Sequence, residues 1–135
     1  MKTPKSKRIK KLACGIAAAV FVLLMLCAGG YMYITRYRTT DIASSASADN
    51  RYEVVFLNVG EPDFPFGSSH ARIVLKQGKK TVSKQNVDIM NDGKMLCAEN
   101  WNVVWRENGA AVTLSGEEQE DAVYIFCFDG TVETE

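Results

Sequence analysis

Leu12 to Ile34, "LACGIAAAVFVLLMLCAGGYMYI", is a run of 23 residues without a charge. Wound as an α-helix it would be roughly 34 Å long, at 1.5 Å per residue. The hydrocarbon core of a bilayer is about 30 Å thick, so such a helix crosses it with some tilt. The flanking charges set a direction. Lys2, Lys5, Lys7, Arg8, Lys10 and Lys11 precede the run with no acid among them, and only Arg36 and Arg38 follow it closely. The positive-inside rule predicts a cytoplasmic tail over residues 1–11, a transmembrane helix over 12–35 and an extracytoplasmic remainder. Tyr31, Tyr33 and Tyr37 cluster at the far end, where an aromatic belt sits.

Two other readings of the run are weaker. A cleavable signal peptide would use the small residues Ala28-Gly29-Gly30, but apolar character continues past them to Ile34. A lipoprotein signal ending at Cys27 needs a small residue before the cysteine, and Leu26 is not small. A retained signal anchor in the cell membrane is the expectation, with the lipid bilayer as its first partner.

After the run stand ten basic residues against sixteen acidic ones, a net charge of −6 hidden in a neutral total. That balance argues against a nucleic-acid partner, whose phosphates need cationic surface. The basic N-terminus abuts the span, where topology and anionic headgroups account for it.

"TTDIASSASADN" (39–50) is poor in bulky side chains and reads as part of a flexible stalk over residues 36–50. A folded extracytoplasmic β domain is expected over 51–130. The acidic end, 131–135, reads as a frayed tail. Within the domain the hydrophobic pattern is mostly of period two. Six candidate strands cover 51–59, 70–77, 81–89, 101–107, 110–116 and 122–128. "GKK" (78–80) and "NDGK" (91–94) supply turns. The expected fold is a six-stranded antiparallel meander closing into a small sandwich or open barrel.

One hairpin can be checked against its own side chains. Asn108-Gly109 suits a two-residue turn with positive φ at both positions. That register sets Trp105 against Val112 and Val103 against Leu114. It groups Trp101, Val103 and Trp105 with Val112 and Leu114 on one face.

"GEPDFPFGSSH" (60–70) holds two of the three prolines, two of the six phenylalanines and the one histidine. Pro62 and Pro65 fix φ and remove backbone donors, so the segment is a stiff loop outside any ladder. Phe64 and Phe66 either cap the open end of the core or anchor a partner. Capping is favoured, because a domain of about 80 residues has little apolar surface to spare. Asp63, Phe64, Phe66 and His70 are the candidate binding residues. A hydrolase would combine Ser68 or Ser69 with His70 and Asp63. Neighbours on a strand point to opposite faces, however, and no GxSxG elbow is present. No enzyme activity is expected.

Other candidates are weaker still. "GEEQED" (116–121) is dense in carboxylates, but it lacks EF-hand spacing and reads as a solvated loop. Cys14 and Cys27 are small apolar residues of the span. Cys97 and Cys127 share the exported domain, where they either form a disulfide or fill core positions as thiols. One histidine and no CxxC argue against zinc, and no cofactor is expected.

The order "NVGEPDFPFGSSHARIVLK", "NDGK", "ENWNVVWRENGAAVTLSGEEQED" and "FDG" resembles uncharacterised single-pass envelope proteins of Gram-positive bacteria. The resemblance covers residues 50–130 and implies a compartment, the cell envelope, with no activity or site. The expected function is a membrane-anchored, non-catalytic binding module whose partner is an envelope protein, a peptide or wall material. The alternative is an accessory subunit of a membrane complex, bound through its helix at Ala17–Ala19 and Gly29-Gly30.

Overall fold

The computed structural model describes residues 4–135. Helix α1 runs Pro4–Arg36, 33 residues, and takes in both the basic stretch and the apolar run. It is long and apolar enough to cross a membrane, and no protein packs over its apolar window.

Eight strands follow: β1 Thr39–Ala46, β2 Tyr52–Val59, β3 Ser68–Gln77, β4 Lys80–Met90, β5 Trp101–Arg106, β6 Gly109–Leu114, β7 Ala122–Cys127 and β8 Val132–Thr134. They form two four-stranded antiparallel meanders, β1-β2-β3-β4 and β5-β6-β7-β8. Between them lies one core. Val54, Phe56, Ile73, Leu75 and Ile89 of the first sheet meet Ala110, Val112, Leu114 and Phe126 of the second. Tyr52 stacks on Phe128 and Phe56 on Trp101 across the layers, with ring centroids 3.9 Å and 5.4 Å apart. The alternation seen in the sequence does become strands, but eight rather than six, in two layers with no closed barrel.

The two additional strands correct the domain boundaries. Residues 39–46 are the edge strand β1 rather than part of a stalk. Small residues serve there because a large one stands opposite. Ala43 and Ser45 pair with Phe56 and Val54 of β2, and Trp105 Nε1 donates to Ser45 Oγ at 3.0 Å. A bulge between Asp41 and Ala43 leaves Ile42 to pack on the core. The β1–β2 turn is fastened by Asp49, which accepts from Ser47 Oγ at 2.6 Å and from Arg51 N–H at 3.1 Å and Nε at 2.7 Å. The Ser47 bond, with Arg51 behind it, draws the Asp49 carboxyl down to about 2. The tail 131–135 likewise contains β8, whose Val132 pairs with Phe126.

The β5–β6 hairpin keeps the expected face with a register displaced by two. Trp105 faces Ala110, Val103 faces Val112 and Trp101 faces Leu114, so Glu107 and Asn108 form the turn. A shift of two preserves the side-chain face where a shift of one would invert it. Gly109 lies inside β6 because a Cβ there would run into the Phe126 carbonyl oxygen of β7. Its glycine answers a close approach of backbones rather than a need for positive φ.

Cys97 and Cys127 are both free thiols, the first exposed. The register explains why they do not pair. Cys97 precedes β5, at the end of the second sheet where Trp101, Leu114 and Ala122 align, whereas Cys127 aligns with Gly109 at the other end. Five residues of strand separate those ends, about 17 Å at 3.3 Å per residue. A disulfide needs Cα atoms within about 7 Å.

Candidate functional site

The loop 60–67 leaves β2 directly against the end of α1. The last carbonyls of a helix lack partners inside it. Here Glu61 N–H donates to Thr35 O at 2.8 Å, and Gly60 N–H donates to Arg38 O at 2.7 Å. Gly60 has φ +68°, and any Cβ on it would strike the Thr35 carbonyl oxygen. Only glycine allows both the turn and the contact. Beyond this the loop closes on itself: Asp63 N–H donates to Ser68 O at 2.9 Å and Gly67 N–H to Asp63 O at 2.8 Å. Gly93 of the 91–94 turn donates to Gly67 O at 3.0 Å. The Phe64–Pro65 peptide is cis.

This base leaves the tip outside. Phe64 is 96% exposed and Phe66 70%. The capping expectation is therefore overturned. The core is closed by its own strands and by Leu96, and the loop is held away from it by the helix end.

Behind the tip lies a chain of charges. Asp63 Oδ1 is 3.2 Å from Arg36 Nη1, on the last turn of α1. Asp63 Oδ2 faces His70 Nε2 at 3.3 Å, and His70 Nδ1 meets Asp88 Oδ1 of β4 at 2.6 Å. The imidazole is thus clamped between two carboxylates on opposite sides of its ring. The Asp88 bond, seconded by Asp63 and opposed by partial burial, raises the His70 pKa above its usual 6.5. Nδ1 is taken by Asp88, while Nε2 is buried without a hydrogen-bond partner among the described residues and has Asp63 Oδ2 as its charged neighbour.

Of the residues named for a hydrolase, Ser69 is fully buried, donates from Oγ to Lys94 O at 2.6 Å and lies on the face of β3 opposite His70. Ser68 shares the face of His70, and Asp63 stands beside the imidazole. Among the described residues no group of three or more His, Cys, Asp or Glu side chains is disposed to hold a metal ion. Within 116–121, Glu117 takes both of its oxygens to Lys94 Nζ at 2.6 Å. Gln119 Oε1 accepts the Met90 N–H at 2.7 Å.

Comparison with known proteins finds no matching family model, no similar curated protein and no similar solved structure. The site is therefore read from its own geometry. Of its members, Asp63, Phe64, Phe66 and His70 were legible in the sequence. Asp88 and Arg36 were not. Asp88 had a signal: in "KTVSKQNVDIM" the apolar positions change parity between Val82 and Val87/Ile89. A parity change in a one-sided strand marks a bulge. The bulge is present, with Leu75 opposite Ser83 and Lys76 opposite Thr81, and it sets Asp88 rather than Val87 across from His70.

Proposed function

We propose that the protein is a membrane-anchored, non-catalytic binding module at the outer face of the cell membrane, with its N-terminus in the cytoplasm. The observation that carries this reading is the outward pair Phe64 and Phe66, on a loop fastened at its base. Exposed large apolar groups on a fixed support are typical of recognition surfaces. The Arg36–Asp63–His70–Asp88 chain stiffens that support, which reduces the ordering cost of binding. The six cations ahead of the apolar run favour a cytoplasmic N-terminus. The non-catalytic part of the reading is supported by the opposed directions of Ser69 and His70.

The test is photo-crosslinking in cells, with p-benzoylphenylalanine in place of Phe66. An adduct formed on irradiation identifies what covers the loop, whether an envelope protein, wall material or lipid. Irradiation without any adduct would remove the loop as a binding surface.

A second reading has its own observation. The surroundings of Gly15, Gly29 and Gly30 on α1 are open, and small residues let helices approach closely. In this reading the protein is an accessory subunit held by its helix. Exchanging residues 12–34 for an unrelated span separates the two: a co-purifying partner lost on exchange belongs to the helix, and one retained belongs to the domain.

A further inference from the structure

The apolar side chains that the β domain leaves in water are not scattered. Among the described residues after α1 and its Tyr37, the large exposed ones are Phe64, Phe66, Met90, Met95 and Val104. Four of these five stand at the end that abuts α1. Phe64 and Phe66 are on the loop bonded to the helix terminus, Met90 ends β4 opposite Ser68, and Met95 follows the turn that donates to Gly67. The opposite end carries the polar turn Gly78-Lys79.

The helix provides a ruler for depth. The uncharged run 12–34 is centred on Leu23. A hydrocarbon core of about 30 Å centred there reaches some ten residues either way, to about residue 33. Thr35, which accepts from Glu61, therefore lies just outside the hydrocarbon, and Tyr31 lies at its edge. Phe64 reaches back past Thr35 to that level. It borders an open groove of about 340 Å³ together with Tyr31, Met32 and Pro62. On its other side it shares a second groove with Tyr31, Pro65 and Met95. With α1 across the bilayer, the tip of the loop sits at the level where headgroups give way to acyl chains.

Asp63, next to the tip, is paired with Arg36 and His70. Glu61, at the base of the loop beside Thr35, is exposed and lines the same groove, so one carboxylate stays at headgroup level, where water solvates it. The domain as a whole is acidic and gains nothing from anionic lipid at a distance. Attachment therefore depends on apolar insertion, with Tyr31, Tyr33 and Tyr37 as the belt of the helix beside it.

We infer that the 60–67 loop, with Met90 and Met95, is a membrane-inserting edge that seats the β domain on the outer leaflet beside its own span. This rests on the binding reading above and names its partner as the headgroup–acyl boundary of the bilayer. The test uses the full chain reconstituted into vesicles of phosphatidylethanolamine and phosphatidylglycerol, with no other protein. p-Benzoylphenylalanine replaces Phe64 in one variant and Lys79 in another, and adducts are identified by mass after irradiation. The expected result is a lipid adduct at 64 and none at 79. Lipid adducts at neither position, or at both alike, would overturn the inference. A protein or wall adduct at residue 66 in cells, with no lipid adduct at 64 in vesicles, would overturn it while leaving the binding reading standing. No adduct of any kind in either setting would overturn both.

Discussion

Two substitutions in β1 test whether residues 39–46 are a strand with a share in the core. Ile42 packs half-buried against the core, and Ser45 accepts the indole N–H of Trp105 at 3.0 Å. Truncating a fully buried isoleucine to alanine costs about 2–5 kcal/mol, so a half-buried one should cost about 1–2 kcal/mol. Ser45→Ala leaves the Trp105 N–H without its acceptor, a penalty of about 1 kcal/mol for a partly buried group. If the two effects add, the double variant should lose about 2–3 kcal/mol. Domains of this size are stable by about 5–15 kcal/mol, so the loss is a large fraction. Urea unfolding of residues 38–135, followed by the fluorescence of Trp101 and Trp105, provides the assay. With a slope of about 1–2 kcal/mol/M the midpoint should fall by about 1–3 M. In a flexible stalk neither side chain would matter. Midpoints for Ile42→Ala, Ser45→Ala and the double variant that coincide with wild type would refute the placement of β1 in the sandwich.

Phe64→Ala/Phe66→Ala should leave the unfolding midpoint within about 0.5 kcal/mol of wild type, as exposed positions do. Phe56→Ala and Phe126→Ala, both fully buried, should each cost about 3–5 kcal/mol in the same urea titration. His70 has a folded pKa raised above 6.5, so its clamp contributes fully below 6.5 and is lost as pH rises through the higher folded value. Urea midpoints should decline from pH 6 to pH 9 in wild type and lose that decline in His70→Asn; equal pH profiles would count against the clamp. Gly109→Ala should destabilise by about 1–3 kcal/mol through the collision with the Phe126 carbonyl, whereas a neutral result would return Gly109 to the turn.

Much of the sandwich was legible because one-sided burial writes itself into alternation. β3 and the faces of β5 and β6 follow from apolar residues at every second position. What escaped was decided between distant parts of the chain. β1 is built of small polar residues because Trp105, 60 positions later, reaches across to Ser45. The β5–β6 turn moved by one residue, and the register with it by two, because the β7 backbone approaches Gly109, a constraint invisible within the hairpin. The orientation of Phe64 and Phe66 is set by Gly60 and Glu61 docking on Thr35 of the helix, so no property of the loop alone reveals it. His70 and Asp63 were visible as residue types. Their joining to Asp88 needed the bulge at Val82, and their joining to Arg36 needed the helix end.

Only Tyr37 and Arg38 stand between α1 and β1. A flexible tether over residues 36–50 would let the domain wander by roughly 20 Å, from the 5–6 Å × √n scaling of such chains. Two residues allow almost no excursion. The longest strand, β4, has 11 residues and is at most about 36 Å long. With α1 held across a membrane, as proposed above, anything met by the domain would come within some 40 Å of the lipid surface, and the protein would search for it by lateral diffusion rather than by reaching outward. Its encounters would be those of a low, fixed-height object moving in two dimensions, and ligands confined to that thin layer would gain in effective concentration over those free in the medium.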